Sequence, residues 1–258
     1  FDFGSTAIAG PRRPVLHVVS AGNFPQYFGA SDIVTAPAAA KKAITVGASE
    51  TYNQQTWASG PCVNNEAGFA DNPRQVFLNT VTGATSRQGF PNLRIKPDLV
   101  APGIRSYGRR STAYTGCSGP CNPDLDGTGA YVWTNGTSFA APVASGAAAI
   151  VRGWLTTLGI GSPAPALVKA ALIGGAKNLA PCAVGCATCQ ACSYCNQTRP
   201  APDRSQGWGG LSLDRLLQPA SNYFFLNQDH VFTANGQTWS RTLTIADRTR
   251  DTVVTLVW

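Results

Sequence analysis

Residues 133–146, WTNGTSFAAPVASG, constrain the fold of this chain more than any other segment. A turn of Thr, Asn and Gly residues leads into a run of small residues, which predicts a turn followed by a helix. Thr137 is the expected N-cap, and Pro142 would lie in the first helical turn, where its missing N–H breaks no helical bond. Ser138 then lies at the helix N-terminus, where free N–H groups and the positive end of the helix dipole favour a developing negative charge.

A second segment places a polar side chain after a predicted buried strand. Residues 15–23 are an apolar run, VLHVVS, that ends at Ala21-Gly22-Asn23. A short apolar run bounded by a turn signal is typical of a buried strand. Taken alone, Asn23 would simply close a turn, which is the common role of Asn beside Gly.

Two further segments complete an ordered set of four. Residues 35–48 combine a loop, TAPA, with a following strand, and residues 94–103, RIKPDLVAPG, predict a loop, a strand and a turn. The four segments, in this order, resemble the subtilisin-like serine peptidases, the subtilases. Residues 133–146 are similar to the active-serine segment of that family, and residues 15–23 to the strand that carries its oxyanion-hole asparagine.

The resemblance implies a three-layer α/β fold with a mostly parallel sheet and helices on both faces. It implies that Ser138 attacks the peptide carbonyl to form an acyl-enzyme, and that the Asn23 side chain and the Ser138 N–H hold the oxyanion. The implied function is a secreted or extracytoplasmic serine endopeptidase that acts on polypeptides and needs no cofactor for its chemistry. The residues expected to line the substrate pocket are Ser20, Ala21, Gly22, Thr35, Ala36, Pro37 and Ala38.

The catalytic base is the part of this chemistry that the four segments do not contain. A subtilase serine needs an aspartate and a histidine that precede it in the chain. The chain has only His17, which fits a partly buried strand residue, and His230, far beyond the serine. We therefore expect the aspartate and histidine segments to precede Phe1, so that residues 1–258 are a fragment with little activity alone. The alternative is a catalytically dead pseudo-protease that binds peptides or metal.

Composition and charge limit the classes of partner that this chain is expected to bind. The formal net charge is +7, but the basic residues are scattered and form no stripe with aromatic residues, which argues against nucleic-acid binding. No unbroken apolar run reaches the length of a membrane span. Residues 124–127, DLDG, resemble part of a calcium loop. The complete EF-hand ligand pattern is absent, so a solvated turn is favoured and a structural calcium ion stays open as the alternative.

The chain divides by its patterns into two regions. Residues 1–218 would form the catalytic part, with a second helix over 166–176, a Cys-rich insertion at 181–200 and a closing Gly207-Trp208-Gly209 segment. Residues 219–258 would begin a β-sandwich domain. The strands predicted there, from β-branched and aromatic residues, are 223–226, 239–245 and 253–258.

Five of the eight cysteines lie between Cys182 and Cys195. Their repeated C-x2-C spacing also suits zinc or an iron–sulphur cluster. Small polar neighbours and a mostly exported family favour disulfides formed in an oxidising compartment. Because five cysteines cannot all pair among themselves, at least one must bridge elsewhere or stay free.

We predict that non-reducing peptide mapping will find these cysteines oxidised, with at least one bridge that leaves residues 182–195 unless a thiol is free. Five free thiols accompanied by stoichiometric zinc would contradict the disulfide interpretation.

Overall fold

The computed structural model describes residues 14–22, 34, 36–50, 95–104, 106–109, 111, 131–134, 136–178, 202, 206–245, 249 and 252–257. Its strands form one parallel sheet and one antiparallel pair. The parallel sheet has the order β1-β2-β3, with β1 at Val18–Ser20, β2 at Ile44–Glu50 and β3 at Leu99–Ile104. The antiparallel pair is β4, Ser106–Arg109, with β5, Tyr131–Thr134.

The helices follow the strands in the chain. The first, α1, spans Thr137–Thr157, and α2 spans Pro165–Gly174. A short helix, α3, spans Leu213–Leu216, and a 3-10 turn follows at Ala220–Asn222. Among the described residues, no helix combines the length and apolarity needed to cross a membrane.

The central strand, β2, separates an apolar side of the sheet from a polar one. Ile44, Val46 and Ala48 are fully buried and belong to one core cluster with the inner face of α1. The intervening Thr45 is equally buried, and alternation along the strand directs it to the opposite side. A strand buried on both faces is typical of a parallel sheet covered on both sides.

Small residues allow α1 to lie very close to this sheet. Ala140, Ala144 and Ala147 are buried against it, as the small-residue run predicted. The approach is closest at Gly103, at the end of β3. A Cβ atom there would lie 2.7 Å from the Gly136 carbonyl oxygen and 2.9 Å from the Cβ of Ala48. Glycine at this position therefore lets the start of α1 meet the ends of the strands.

The start of α1 differs in two details from the sequence prediction. Thr137 is the first helical residue and not the cap; Gly136 is the N-cap and makes no side-chain capping bond. The Thr137 hydroxyl is engaged by Gly22 instead. Pro142 consequently lies in the second turn, where its missing N–H leaves the Ser138 carbonyl without the usual helical donor.

The Gly207-Trp208-Gly209 segment runs beside β3. Val100 N–H donates to the Gly209 carbonyl at 3.0 Å, and Trp208 N–H donates to the Asp98 carbonyl at 2.9 Å. Gly207 has φ 62°. A Cβ atom on it would lie 2.2 Å from the Pro97 carbonyl oxygen, so this contact requires glycine.

The strands predicted after residue 219 are not observed in the part of the chain that the structure describes, 219–245 and 252–257. Tyr223 has extended backbone angles, and the rings of Tyr223 and Phe225 pack edge-on against Trp154 of α1, at centroid distances of 5.6 and 5.7 Å. Phe224 and Leu226 are exposed. The alternating pattern thus marks an extended segment whose apolar side contacts a helix, and no neighbouring strand pairs with its backbone among the described residues.

We predict that Gly103→Ala will lower the free energy of unfolding by about 1–3 kcal/mol, because the added methyl group forces apart groups that are already in contact. Urea unfolding of the purified protein measures this change. Gly153→Ala is the control, because nothing lies within 4 Å of its added Cβ and it is an exposed helical position. We expect that control to be neutral or stabilising, by up to about 1 kcal/mol. Equal stability of wild-type and Gly103→Ala protein would contradict the close approach.

Candidate active site

Ser138 is the second residue of α1, and its side chain is exposed. Its N–H belongs to the first helical turn, whose N–H groups have no acceptor within the helix. The N-cap residue of the helix is held by the sheet, since Gly136 N–H donates to the Gly103 carbonyl at 2.8 Å. Ser138 therefore presents a hydroxyl to solvent at the positive end of a 21-residue helix.

The fully buried Thr137 connects this helix start to the end of β1. Its hydroxyl accepts a hydrogen bond from Gly22 N–H at 3.1 Å and donates one to the Gly22 carbonyl at 3.2 Å. Asn23 itself lies outside the described residues, but it follows Gly22 directly in the chain. The two segments that carry Ser138 and Asn23 are thus joined by a pair of hydrogen bonds.

Two of the predicted pocket segments meet in a small apolar cluster. Ala21, after β1, and Ala38, before β2, pack together with Val34. Ala36 and Pro37 are exposed beside this cluster. Ser20 is the last residue of β1 and pairs in register with Val46. Thr35 lies outside the described residues.

The two histidines lie in different surroundings. His17 is half-buried directly before β1, and its carbonyl accepts the Ile44 N–H at 2.8 Å, which agrees with a partly buried residue beside a strand. His230 lies in the irregular C-terminal region, with its ring 4.9 Å from that of Phe232 and 6.0 Å from that of Trp239.

Candidate metal ligands do not converge in the described part of the chain, which contains no group of three or more His, Cys, Asp or Glu side chains. The DLDG turn at 124–127 and the Cys-rich insertion at 181–200 lie outside the described residues.

Sequence reasoning missed one buried ionic cluster near the site. Asp98 and Lys96 come from the loop before β3, and Lys169 comes from α2; both lysines form ion pairs with the single carboxylate. The available signal was Lys169 itself, the one charged residue in the helix sequence PALVKAALIG. A lysine surrounded by apolar residues is rarely buried unless it is paired.

A parallel sheet, a serine at the N-terminus of the helix packed on it, and a strand end bound to that helix agree with the α/β fold that the sequence predicted. The model of the subtilase family matches residues 4–209 of the chain. The chain belongs to the subtilase family, as the four sequence segments predicted. No curated protein matches it.

Several solved structures are similar. The patellamide maturation protease PatA is 23% identical, with a TM-score of 0.43, over 79% of this chain and 50% of that one. Fervidolysin from Fervidobacterium pennivorans, described as a keratinolytic enzyme related to subtilisin, is 22% identical, with a TM-score of 0.45, over 80% and 22%. The PatG macrocyclase in complex with peptide is 19% identical, with a TM-score of 0.44, over 79% and 43%. The chain thus spans half or less of the length of these structures.

We predict that Thr137→Val will lower the free energy of unfolding by about 1–3 kcal/mol, because the isosteric valine leaves the Gly22 N–H and carbonyl without their partner. Thr137→Ser retains the hydroxyl and should lose much less. Urea unfolding of the two variants measures the difference. If the valine and serine variants are equally stable, the hydroxyl contributes nothing to joining β1 and α1.

Proposed function

We propose that the protein is a serine endopeptidase in which Ser138 attacks the carbonyl carbon of a peptide bond. The observation that supports this most is the pair of hydrogen bonds between Thr137 and Gly22. They hold the exposed Ser138, at the start of α1, beside the segment that precedes Asn23. Acyl transfer needs a nucleophile and hydrogen-bond donors on the same reacting carbonyl.

In the proposed reaction, the Ser138 Oγ–carbon bond forms while the carbonyl oxygen becomes an oxyanion. The Ser138 N–H and the Asn23 side-chain amide donate hydrogen bonds to that oxygen. The serine proton passes to a histidine and from there to the leaving amine, which departs with the scissile bond. Water then attacks the acyl-enzyme by the same route and releases the acid product.

The proposal assigns the histidine base and its orienting aspartate to a segment of a longer protein that precedes these residues. His17 is half-buried before β1, and His230 contacts aromatic rings in the C-terminal region. In subtilases the histidine base precedes the serine in the chain. His230 follows Ser138, so it does not fit this role.

Polypeptides are the proposed substrates. The small side chains of Ala21 and Ala38 and the exposed Ala36-Pro37 edge fit a roomy apolar pocket for the residue that precedes the scissile bond. Secretion or another extracytoplasmic location is part of the same proposal and rests on the cysteine content of the chain.

We expect Ser138→Ala to abolish peptide hydrolysis by the whole protein, because no other group replaces the nucleophile. Asn23→Ala should lower kcat by roughly 100–1,000-fold, a magnitude measured in subtilisin, a member of the same family. Hydrolysis of a fluorogenic peptide measures both effects. Ser145→Ala is the control: this serine is exposed on the same helix, and its hydroxyl donates to the Ala141 carbonyl. Its activity should equal that of the wild type.

Full activity in Ser138→Ala protein would show that Ser138 is not the nucleophile. Wild-type protein that binds peptides without cleaving them would instead favour the pseudo-protease alternative.

A further inference from the structure

An ionic cluster is buried under the loop that connects the predicted pocket to β2. Asp98 receives one lysine on each carboxylate oxygen: Lys96 Nζ lies 2.7 Å from Oδ2, and Lys169 Nζ lies 2.9 Å from Oδ1. All three residues are 5% exposed. The backbone N–H of Thr45 adds a third hydrogen bond to the carboxylate, at 2.7 Å.

Two ammonium groups bind one carboxylate here, and all three charged side chains are buried away from water. Buried charges are costly unless polar groups surround them. The Lys169 ammonium has three N–H donors, and all three are used. Besides Asp98, they reach the carbonyls of Lys41 at 3.0 Å and Ala43 at 2.8 Å.

Lys96 uses the same loop. Its ammonium donates to the Ala43 carbonyl at 3.0 Å and to the Thr45 hydroxyl at 2.9 Å. Oxygens at the end of the loop and the start of β2 therefore bind both ammonium groups. Because these carbonyls must point inward at the lysines, the cluster restricts the backbone path of residues 41–45.

A further hydrogen bond carries this restriction to the predicted pocket. The Thr45 hydroxyl, which accepts from Lys96, donates to the Ala38 carbonyl. Ala38 packs against Ala21, beside Gly22, which is bonded to Thr137. The lysines are thus linked to the exposed Ala36-Pro37 edge through one hydroxyl and a short loop.

We propose that Lys96 and Lys169 are positioning residues that set the shape of the substrate pocket through residues 36–43. This inference rests on the proposed peptidase function and adds a determinant of its selectivity. The lysines touch neither the substrate nor Ser138. They hold the loop in the position that accepts one class of side chain before the scissile bond, and so act on KM and on the ranking of substrates.

The test is Lys169→Met in the whole protein. Methionine keeps much of the apolar stem, and Asp98 keeps its ion pair with Lys96, while the loop loses the two hydrogen bonds from Lys169 to its carbonyls. Active sites are titrated with a fluorophosphonate, and kcat and KM are measured for peptides that differ only in the residue before the scissile bond. We expect KM for the preferred peptide to rise about tenfold, the factor for losing roughly 1.4 kcal/mol of positioning. We also expect the differences among peptides to shrink, with kcat per titrated site nearly unchanged.

Two comparisons separate positioning from a general loss of structure. Lys169→Arg keeps the charge and the donors and should restore part of the selectivity. Lys177→Met removes the same charge after the end of α2 and should leave kcat, KM and the ranking as in the wild type. Should Lys169→Met fail to fold, Thr45→Val removes the hydroxyl that reaches Ala38, and Thr45→Ser keeps it; the valine variant should show the loss of selectivity and the serine variant should not.

Unchanged KM and ranking in Lys169→Met and Thr45→Val would overturn the inference. A uniform fall in kcat for every peptide would also overturn it, since that is the result of a structural role alone. If the wild-type protein neither reacts with fluorophosphonate nor cleaves peptides, the proposed function fails separately. The same variants are then compared by peptide Kd in fluorescence polarisation, where equal Kd values for wild-type and Lys169→Met protein would again overturn the positioning role.

Discussion

The close packing of α1 on the parallel sheet is the constraint on which the site depends. At Gly103 the sheet and the helix start are so close that a single Cβ atom would collide with both. The alanines along the inner face of α1 maintain this separation over the next turns. Because the helix begins where the strands end, this packing places Ser138 beside the carboxyl ends of the strands, where α/β folds carry their sites.

The two sides of β2 make different kinds of interaction with the helix that carries Ser138 and with the predicted pocket loop. On one side, Ile44 and Val46 bury apolar surface against the helix that carries the serine. On the other side, Thr45 takes part in a charged hydrogen-bond network that also binds carbonyls of the loop predicted to line the pocket. Dispersion and burial position a rigid helix well, whereas a loop with little apolar surface needs directional bonds to hold one conformation. One strand thus contacts both the helix that carries Ser138 and the loop that is predicted to line the pocket.

The parts of the fold set by local pattern could be predicted from the sequence. The strands near residues 18, 44 and 99, the helix after Gly136 and the second helix opened by Pro165 carry clear apolar or small-residue patterns, and the motif around Ser138 identified the family. The wrong predictions concern side chains whose contacts are distant in the chain, because a local sequence pattern does not reveal such contacts. Thr137 suits a cap, but its hydroxyl binds Gly22, which is distant in the chain. Tyr223 and Phe225 alternate as a strand does, but they pack on Trp154. Lys169 was missed because its carboxylate and carbonyl partners come from other parts of the chain.

The most direct test of the account is to locate the reactive serine chemically. The whole protein is treated with a fluorophosphonate, digested, and mapped by mass spectrometry, with a heat-denatured sample as reference. The account predicts a single phosphonate adduct on the peptide that contains Ser138 in the native sample and none after denaturation. An adduct on another serine, or no adduct on native protein that still cleaves peptides, would contradict the assignment of Ser138 as the nucleophile.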